Sequence, residues 1–476
     1  MTANLYRWHR RLALWVLLPL LFWGLSGLLH PLMRLTRPEA ATPVYIAPAW
    51  PAALQSVALQ PLLEKQSIDA VHNLRPVKLG DDWLLQVIPS VAGPGRMLEP
   101  LKAEVVEGGN RDYAIQLARH FSGLTQIAVT KVTRLDQFSA EYPPINRLLP
   151  VWRVEFADPR VTTAFVDIRQ DRLGAISDDR RRSLMGLFQT LHVWSFVPPD
   201  HWLRSATFIG LMLMSSFIGL SGLYLYTLLP FRQRKQPQHL HWLHRLSGLI
   251  ISIPLLMFTL SGLVRTLEKQ LPDIRGIQLA QSVPSMQLDI SLGSLMAQAP
   301  GINGVQLHNL DGQLQWQLLR LRQPALWLEG SQLQPRPDGE RRFAQQLVAK
   351  LGLSSASPLS ARPIRSYRDD PDYGFIDKRL PVMALAYPGQ TLYIDSRDAL
   401  LAKQVTAGDQ LFGWVFRYLH KWRFANSLGL NGRDSLIALA IGLISASAVT
   451  GGLMWLRRKR KQRRAHNEKR PQAVTV

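Results

Sequence analysis

Apolar residues crowd into four runs separated by very unequal mixed stretches. Leu12 to Met33 is almost wholly apolar, and further runs follow at about 203–229, 243–265 and 436–456. About 20 such residues, rising 1.5 Å each, cross the hydrocarbon core of a bilayer, so each run predicts a transmembrane helix. The first is too long for a signal-peptide core and no small-x-small cleavage site follows it, which makes it a mature span. Residues 34–200 and 266–433 are long and mixed, whereas 230–242 is short and basic.

Inside the long segments the period changes. Tyr113 to Phe121 reads as a helix, followed by LPVWRVEFADP and TTAFVDIRQDRLGAI; RFAQQLVAKLGL reads as a second helix, followed by LPVMALAYPGQ and TLYIDSRDALLAKQ. Alternation, a turn and alternation again predict a β-hairpin in each case. Upstream, Leu59 to Lys65 with DDWLLQV, and Ser291 to Ala299 with GQLQWQLL, predict a further helix-plus-strand layer in each segment.

The pattern also repeats. HRRLALWVLLPLLFWGLSGLLHPL from residue 9 matches HRLSGLIISIPLLMFTLSGLVRTL from residue 244 at an offset of 235, which sets His9 on His244, Pro19 on Pro254, Ser26-Gly27 on Ser261-Gly262 and His30 on Arg265. FQTLHVWSF (188–196) matches FRYLHKWRF (416–424) at an offset of 228, and the spans behind them carry Ser221-Gly222 and Thr450-Gly451-Gly452. The expected fold is an α+β membrane protein: four transmembrane helices in two repeated halves, each half with its own exported α/β domain. Its expected segments are 1–33, 34–180, 181–229, 230–242, 243–265, 266–408, 409–456 and 457–476, with short amphipathic helices opening 181–229 and 409–456.

Charge orients this arrangement. Of a formal +22, residues 1–11 carry three positives, 231–245 four, and 457–476 nine basic residues against one acidic. Positive charge marks the cytoplasmic side, so both termini and the short loop are expected inside and the long segments outside. The basic tail then reads as a topology and lipid anchor, with no nucleic-acid partner. The chain has no cysteine, which excludes disulfides, thiolate-ligated iron–sulfur clusters and covalently attached haem. Nor does it contain H-E-x-x-H, G-x-S-x-G or a glycine-rich phosphate loop.

The helix followed by P-V-W-R-V-x-F and V-D-x-x-x-D-x-L-G resembles the PepSY domain. The H-R-x-x-x-L…S-G-L spans with L-H-x-W are similar to the PepSY-associated transmembrane family, which includes iron-regulated inner-membrane proteins and ferrisiderophore reductases. The likeness runs over nearly the whole chain, although Asp395-Ser396-Arg397-Asp398 lacks the glycine expected after it. It implies a bacterial inner-membrane protein in which a four-helix unit holds about two non-covalent b-type haems and a ferric siderophore or other ferric chelate is reduced on the periplasmic side. With no flavin or nicotinamide domain in the chain, electrons would come from a separate cytoplasmic donor or from quinol.

The matched histidines are the ligand candidates. His9 and His244 fall at the cytoplasmic ends of spans one and three, and His192 and His420 just outside spans two and four at the opposite end. A b-type haem in a bundle needs an imidazole on each side of the iron and room for a flat ring. Ser26, Gly27, Ser261 and Gly262 lie at the level of the outer pair, and Ser221, Gly222, Gly451 and Gly452 at that of the inner pair. These small residues either give that room or merely permit close helix contact. His30, matched by Arg265, is either an outer ligand displacing His192 or His420, or a partner of a haem propionate. Arg180, Arg181, Arg182 and Arg265, with Arg34, Arg37 and Arg417, are candidates for propionates, lipid phosphates or an anionic chelate. His239 and His241 read as a solvated loop, His201 as interfacial, and His72, His120 and His308 as ordinary.

Two other functions fit the same sequence. One is a cofactor-free PepSY anchor that senses or regulates a periplasmic peptidase. The other is an iron or haem uptake component, against which the absence of acidic residues from the span interiors counts.

Overall fold

The computed structural model describes residues 2–90, 93–198, 201–228, 239–272, 274–279 and 281–468. Most of the short basic loop (229–238) and the end of the basic tail (469–476) lie outside the described residues. The chain divides into a helical unit, Met1–Thr36, Arg181–Pro272 and Gly408–Val476, and an α/β unit, Arg37–Arg180 and Asp273–Ala407.

Four helices, Thr2–Leu35, Trp202–Leu228, His239–Glu268 and Gly429–Glu468, build the helical unit. Each is long and apolar enough to cross a membrane. The first and the third each pack on both the second and the fourth, so the first and third face each other across the bundle. Outward side chains such as Trp15, Leu18, Ile250 and Ile253 are exposed, as a lipid-facing surface requires. Inward positions hold small hydroxyl residues, including Ser26, Ser221, Ser252, Thr259, Ser261 and Ser447. Except for Ser447, whose hydroxyl faces His244 Nδ1 at 3.4 Å, their hydroxyls bond back to the preceding turn, as Ser252 Oγ does to Gly248 O at 2.6 Å, which satisfies them where lipid offers no partner.

Two boundaries differ from the sequence expectation. The third helix begins at His239, so His239 and His241 are exposed helical residues and not part of a loop. The fourth runs through the basic stretch Arg457–Arg464 to Glu468, because lysine and arginine are good helix formers and extending a formed helix costs far less than nucleating one.

In the α/β unit the expected elements form, but the two segments are not separate modules. The helix Gly109–Ser122 covers an antiparallel sheet of Val129–Leu135, Val151–Phe156, Thr163–Asp167 and Arg172–Ser177. The helix Gly339–Lys350 belongs with the sheet Ser360–Ile364, Val382–Tyr387, Gln390–Asp395 and Leu400–Thr406. Each helix and sheet has its own core, around Phe121 and Val154 in the first and Phe343 and Leu385 in the second. A third core, with Leu59, Leu74 and Leu85 from one segment and Leu292, Leu307 and Trp316 from the other, is shared. The upstream layers are too small to bury their apolar faces alone, and each completes the other.

Charged side chains tie these layers together. Asp171, the second aspartate of V-D-x-x-x-D, pairs with buried Arg75 at 2.7 Å and accepts from Tyr113 Oη at 2.8 Å. In the second segment Ala399 stands at that place, and the acid one position earlier, Asp398, meets Arg172 at 3.0 Å and also Arg379.

His308 is fully buried against the rings of Trp327 and Phe343, which also pack on each other, and burial pushes its imidazole down to about 3. The unfolded chain therefore binds a proton there below about pH 6.5 that the folded unit does not. Stability of the α/β unit is expected to fall as pH drops from 7 toward 4, and His308→Leu to flatten that slope, as read by hydrogen exchange in Ile302–Leu310 across that range.

Candidate functional site

The five candidate histidines all lie in the helical unit, on elements whose local sequence fixes their rings. His9 and His244 sit near the starts of the first and third helices, on opposite sides of the bundle, and within electrostatic reach of one another. His9 Nδ1 lies 2.9 Å from Ser221 Oγ, and His244 Nδ1 lies 3.1 Å from the Ser447 carbonyl. A Cβ on Gly222 would come 3.3 Å from His9 Cε1, and one on Gly451 would come 3.3 Å from His244 Cε1. These two glycines thus leave the imidazoles the space against the neighbouring helix.

His192 and His420 are carried on π-turns, Gln189–Val193 and Phe416–His420, which follow the helices Asp179–Phe188 and Ala407–Val415. Such turns recur at functional sites because they redirect a side chain without ending the helix ladder. His192 stacks on Phe188 with centroids 4.7 Å apart, and His420 on Phe416 at 4.9 Å. Beyond them Trp194 and Trp422 take positive φ of 54° and 47°, a conformation that costs a bulky residue on the order of 1–3 kcal/mol. Each indole Nε1 donates to a carbonyl three residues back, at Leu191 and Leu419, both at 3.1 Å. Trp194 also stacks on Trp23, and Trp422 on Phe258. His420 has both His192 and His30 within electrostatic reach.

Each imidazole is engaged at Nδ1 from a neighbouring helix. Ser26 Oγ lies 3.0 Å from His192 Nδ1 and Ser261 Oγ 3.1 Å from His420 Nδ1. Ser26, Ser221 and Ser261 each give their own hydroxyl proton to a backbone carbonyl, of Phe22, Ile218 and Phe258. The Ser447 carbonyl can only accept, so His244 donates to it from Nδ1. In all four histidines it is Nδ1 that the neighbouring helix engages, the arrangement by which metal-binding imidazoles are held.

This donor set fits haem b. A bis-imidazole iron would take two protein ligands, and the matched histidines come two to each level. The small residues have split roles. Ser26, Ser221 and Ser261 hold histidines, and Gly222 and Gly451 lie under them. Gly27, Gly262 and Gly452 instead face Ile441, Met212 and Leu17, which is helix packing.

His30 presents its edge to Phe188 at 6.1 Å, and the Arg265 guanidinium lies over Phe416 at 5.8 Å. These two matched positions thus sit on matched rings. Arg265 also pairs with Glu268 and Arg34 with Asp434. Arg181 and Arg182 belong to the helical unit, whereas Arg180 and Arg37 belong to the α/β unit. Sequence reasoning missed Ser447, one turn before Thr450, and the roles of Phe188 and Phe416. Their position four residues before each histidine was the available signal, since i and i+4 share a helix face.

Four spanning helices joined to an α/β unit of antiparallel sheets make this a membrane protein of mixed class. The PepSY-associated TM region matches residues 81–458, and the chain belongs to that family. No curated protein matches it.

Proposed function

We propose that the chain is a bacterial inner-membrane di-haem b reductase of two repeated halves. Its termini are cytoplasmic and its α/β unit periplasmic, and it passes electrons from a cytoplasmic donor or quinol to a periplasmic ferric chelate of the ferrisiderophore type. The observation that carries this reading is the set of four histidines, two at each level of the bundle, each held through Nδ1 by a residue of the neighbouring helix. Haem b held by His9 with His244, and by His192 with His420, supplies a one-electron carrier at each level.

The remaining residues hold and orient. Ser221 and the Ser447 carbonyl hold the inner imidazoles, Ser26 and Ser261 the outer ones, and Phe188 and Phe416 set the planes of the outer rings. Arg265, with Arg180, Arg181 and Arg182, takes propionates or draws an anionic chelate, an attraction that weakens as salt shortens the Debye length from about 10 Å at 0.1 M. Reduction to Fe(II) lowers the charge on the metal and loosens hard oxygen chelators.

Protein purified from cells supplied with haem is expected to contain about two low-spin, bis-imidazole haems that acid acetone extracts, since no cysteine tethers them. Reporter fusions at Arg460 should read cytoplasmic, and those at Gly108 or Gly330 periplasmic. A colourless, haem-free protein would overturn the reductase and leave the cofactor-free PepSY anchor.

A further inference from the structure

The two segments of the α/β unit meet through sequence-matched residues. The helices Leu59–Lys65 and Leu292–Gln298 align at an offset of 233, leucine on leucine at Leu59/Leu292 and Leu62/Leu295. At their starts Ala58 bridges Ser291, its own match, in antiparallel fashion. Leu59 N–H donates to the Ile290 carbonyl at 3.0 Å, and Leu292 N–H donates to the Val57 carbonyl at 2.9 Å. Each of these bonds is the image of the other under exchange of segments.

The hairpins repeat the same relation. Thr163–Ser177 aligns with Thr391–Val405 at an offset of 228, with register shifts at the matched places Phe165/Val166 and Tyr393/Ile394. Under that alignment Gln170 matches Asp398, and Gln170 Nε2 donates to Asp398 Oδ1 at 2.9 Å. A residue that touches its own match, and bonds that come in exchanged pairs, define an isologous contact.

We propose that the α/β unit is a covalently joined two-fold dimer, whose axis passes between Ala58 and Ser291 and between Gln170 and Asp398. The partner each segment recognises is a homologous copy of itself. The inference rests on the internal repeat and not on haem. The axis also selects the pairing. Two first segments would set Gln170 against Gln170, which is neutral and can hydrogen-bond. Two second segments would set Asp398 against Asp398, with Leu400 in place of Arg172 and only Arg379 left to pair with each acid. Facing acids held by one guanidinium where two now stand disfavour pairing between two second segments.

The absence of native cysteine lets introduced thiols report alone. Residues paired in an antiparallel bridge have Cα atoms about 4.5–5.5 Å apart, within disulfide reach. Full-length Ala58→Cys/Ser291→Cys, oxidised in membranes, is expected to give an intrachain disulfide, seen as a faster-migrating monomer on a non-reducing gel. Neither single variant should give a dimer. A failure of the double variant to cross-link while its reduced form unfolds like wild type, or dimers from a single variant, would overturn the axis. Gln170→Asp is expected to speed hydrogen exchange in Gln390–Asp395 about tenfold, and Asp398→Asn in that background to cost less than it does in the wild type, since contacting residues couple. Strict additivity would also overturn it.

Discussion

Alanine at His9 or His244 is expected to abolish the inner haem and leave the outer one, and alanine at His192 or His420 to do the reverse. Each variant should retain about half the wild-type haem, because iron that loses one of two axial imidazoles loses its low-spin site. Ser221→Ala and Ser261→Ala keep the ligands but release Nδ1 from its partner. They are expected to weaken haem retention by about 10–100-fold, the usual effect of removing an outer-shell partner. His30→Ala should keep the outer haem, since His30 stands on Phe188 as Arg265 stands on Phe416, without a serine to hold its ring. Pyridine haemochrome content and the low-spin spectrum read all of these. Loss of the outer haem in His30→Ala with retention in His192→Ala would reassign the ligand and leave the function standing.

Arg172→Ala is expected to loosen the α/β unit while leaving the haem spectrum of the helical unit unchanged. Arg172 Nη1 lies 2.9 Å from Asp395 and 3.0 Å from Asp398, and the Asp395 side chain is fully buried. Burial pushes the Asp398 carboxyl up, but Arg172 and Arg379 outweigh it and hold it well below the usual carboxylate range. Without Arg172 two buried acids share one guanidinium, and breaking a buried pair on one side costs about 3–5 kcal/mol. A depressed carboxylate stabilises the fold above its unfolded value and loses that contribution as pH falls through the folded one. The gap between wild type and variant should therefore be widest near neutrality and narrow below about pH 4. Hydrogen exchange in Gln390–Asp395 measures it.

Spans, hairpins and the helix Leu59–Lys65 were legible because each has a hydrophobic period of its own. Helix ends were less so, since the basic stretch after residue 456 looks like a tail but continues a helix already begun. The matched histidines stood out through their offsets, yet nothing in the residue types distinguishes Gly222, which lies under an imidazole, from Gly27, which faces Ile441. That distinction depends on which helix is the neighbour. The shared core was hidden for a related reason: Leu74 and Leu307 each read as the inside of a local hairpin, and only the fold shows that they reach one another's layer.

The shared core also sets a timetable for biosynthesis. It draws on residues from Trp50 to Ala103 and again from Val283 to Leu333, so the early part cannot close until the late part has left the ribosome. At about 5–20 residues per second, the roughly 230 residues between Ala103 and Leu333 take on the order of 10–50 s. Two spans are inserted in that interval while Leu59, Leu74 and Leu85 wait uncovered. The nascent chain is thus exposed to aggregation and proteolysis at an identifiable stage, and a chaperone that shields apolar surface would act there, before residue 333 emerges.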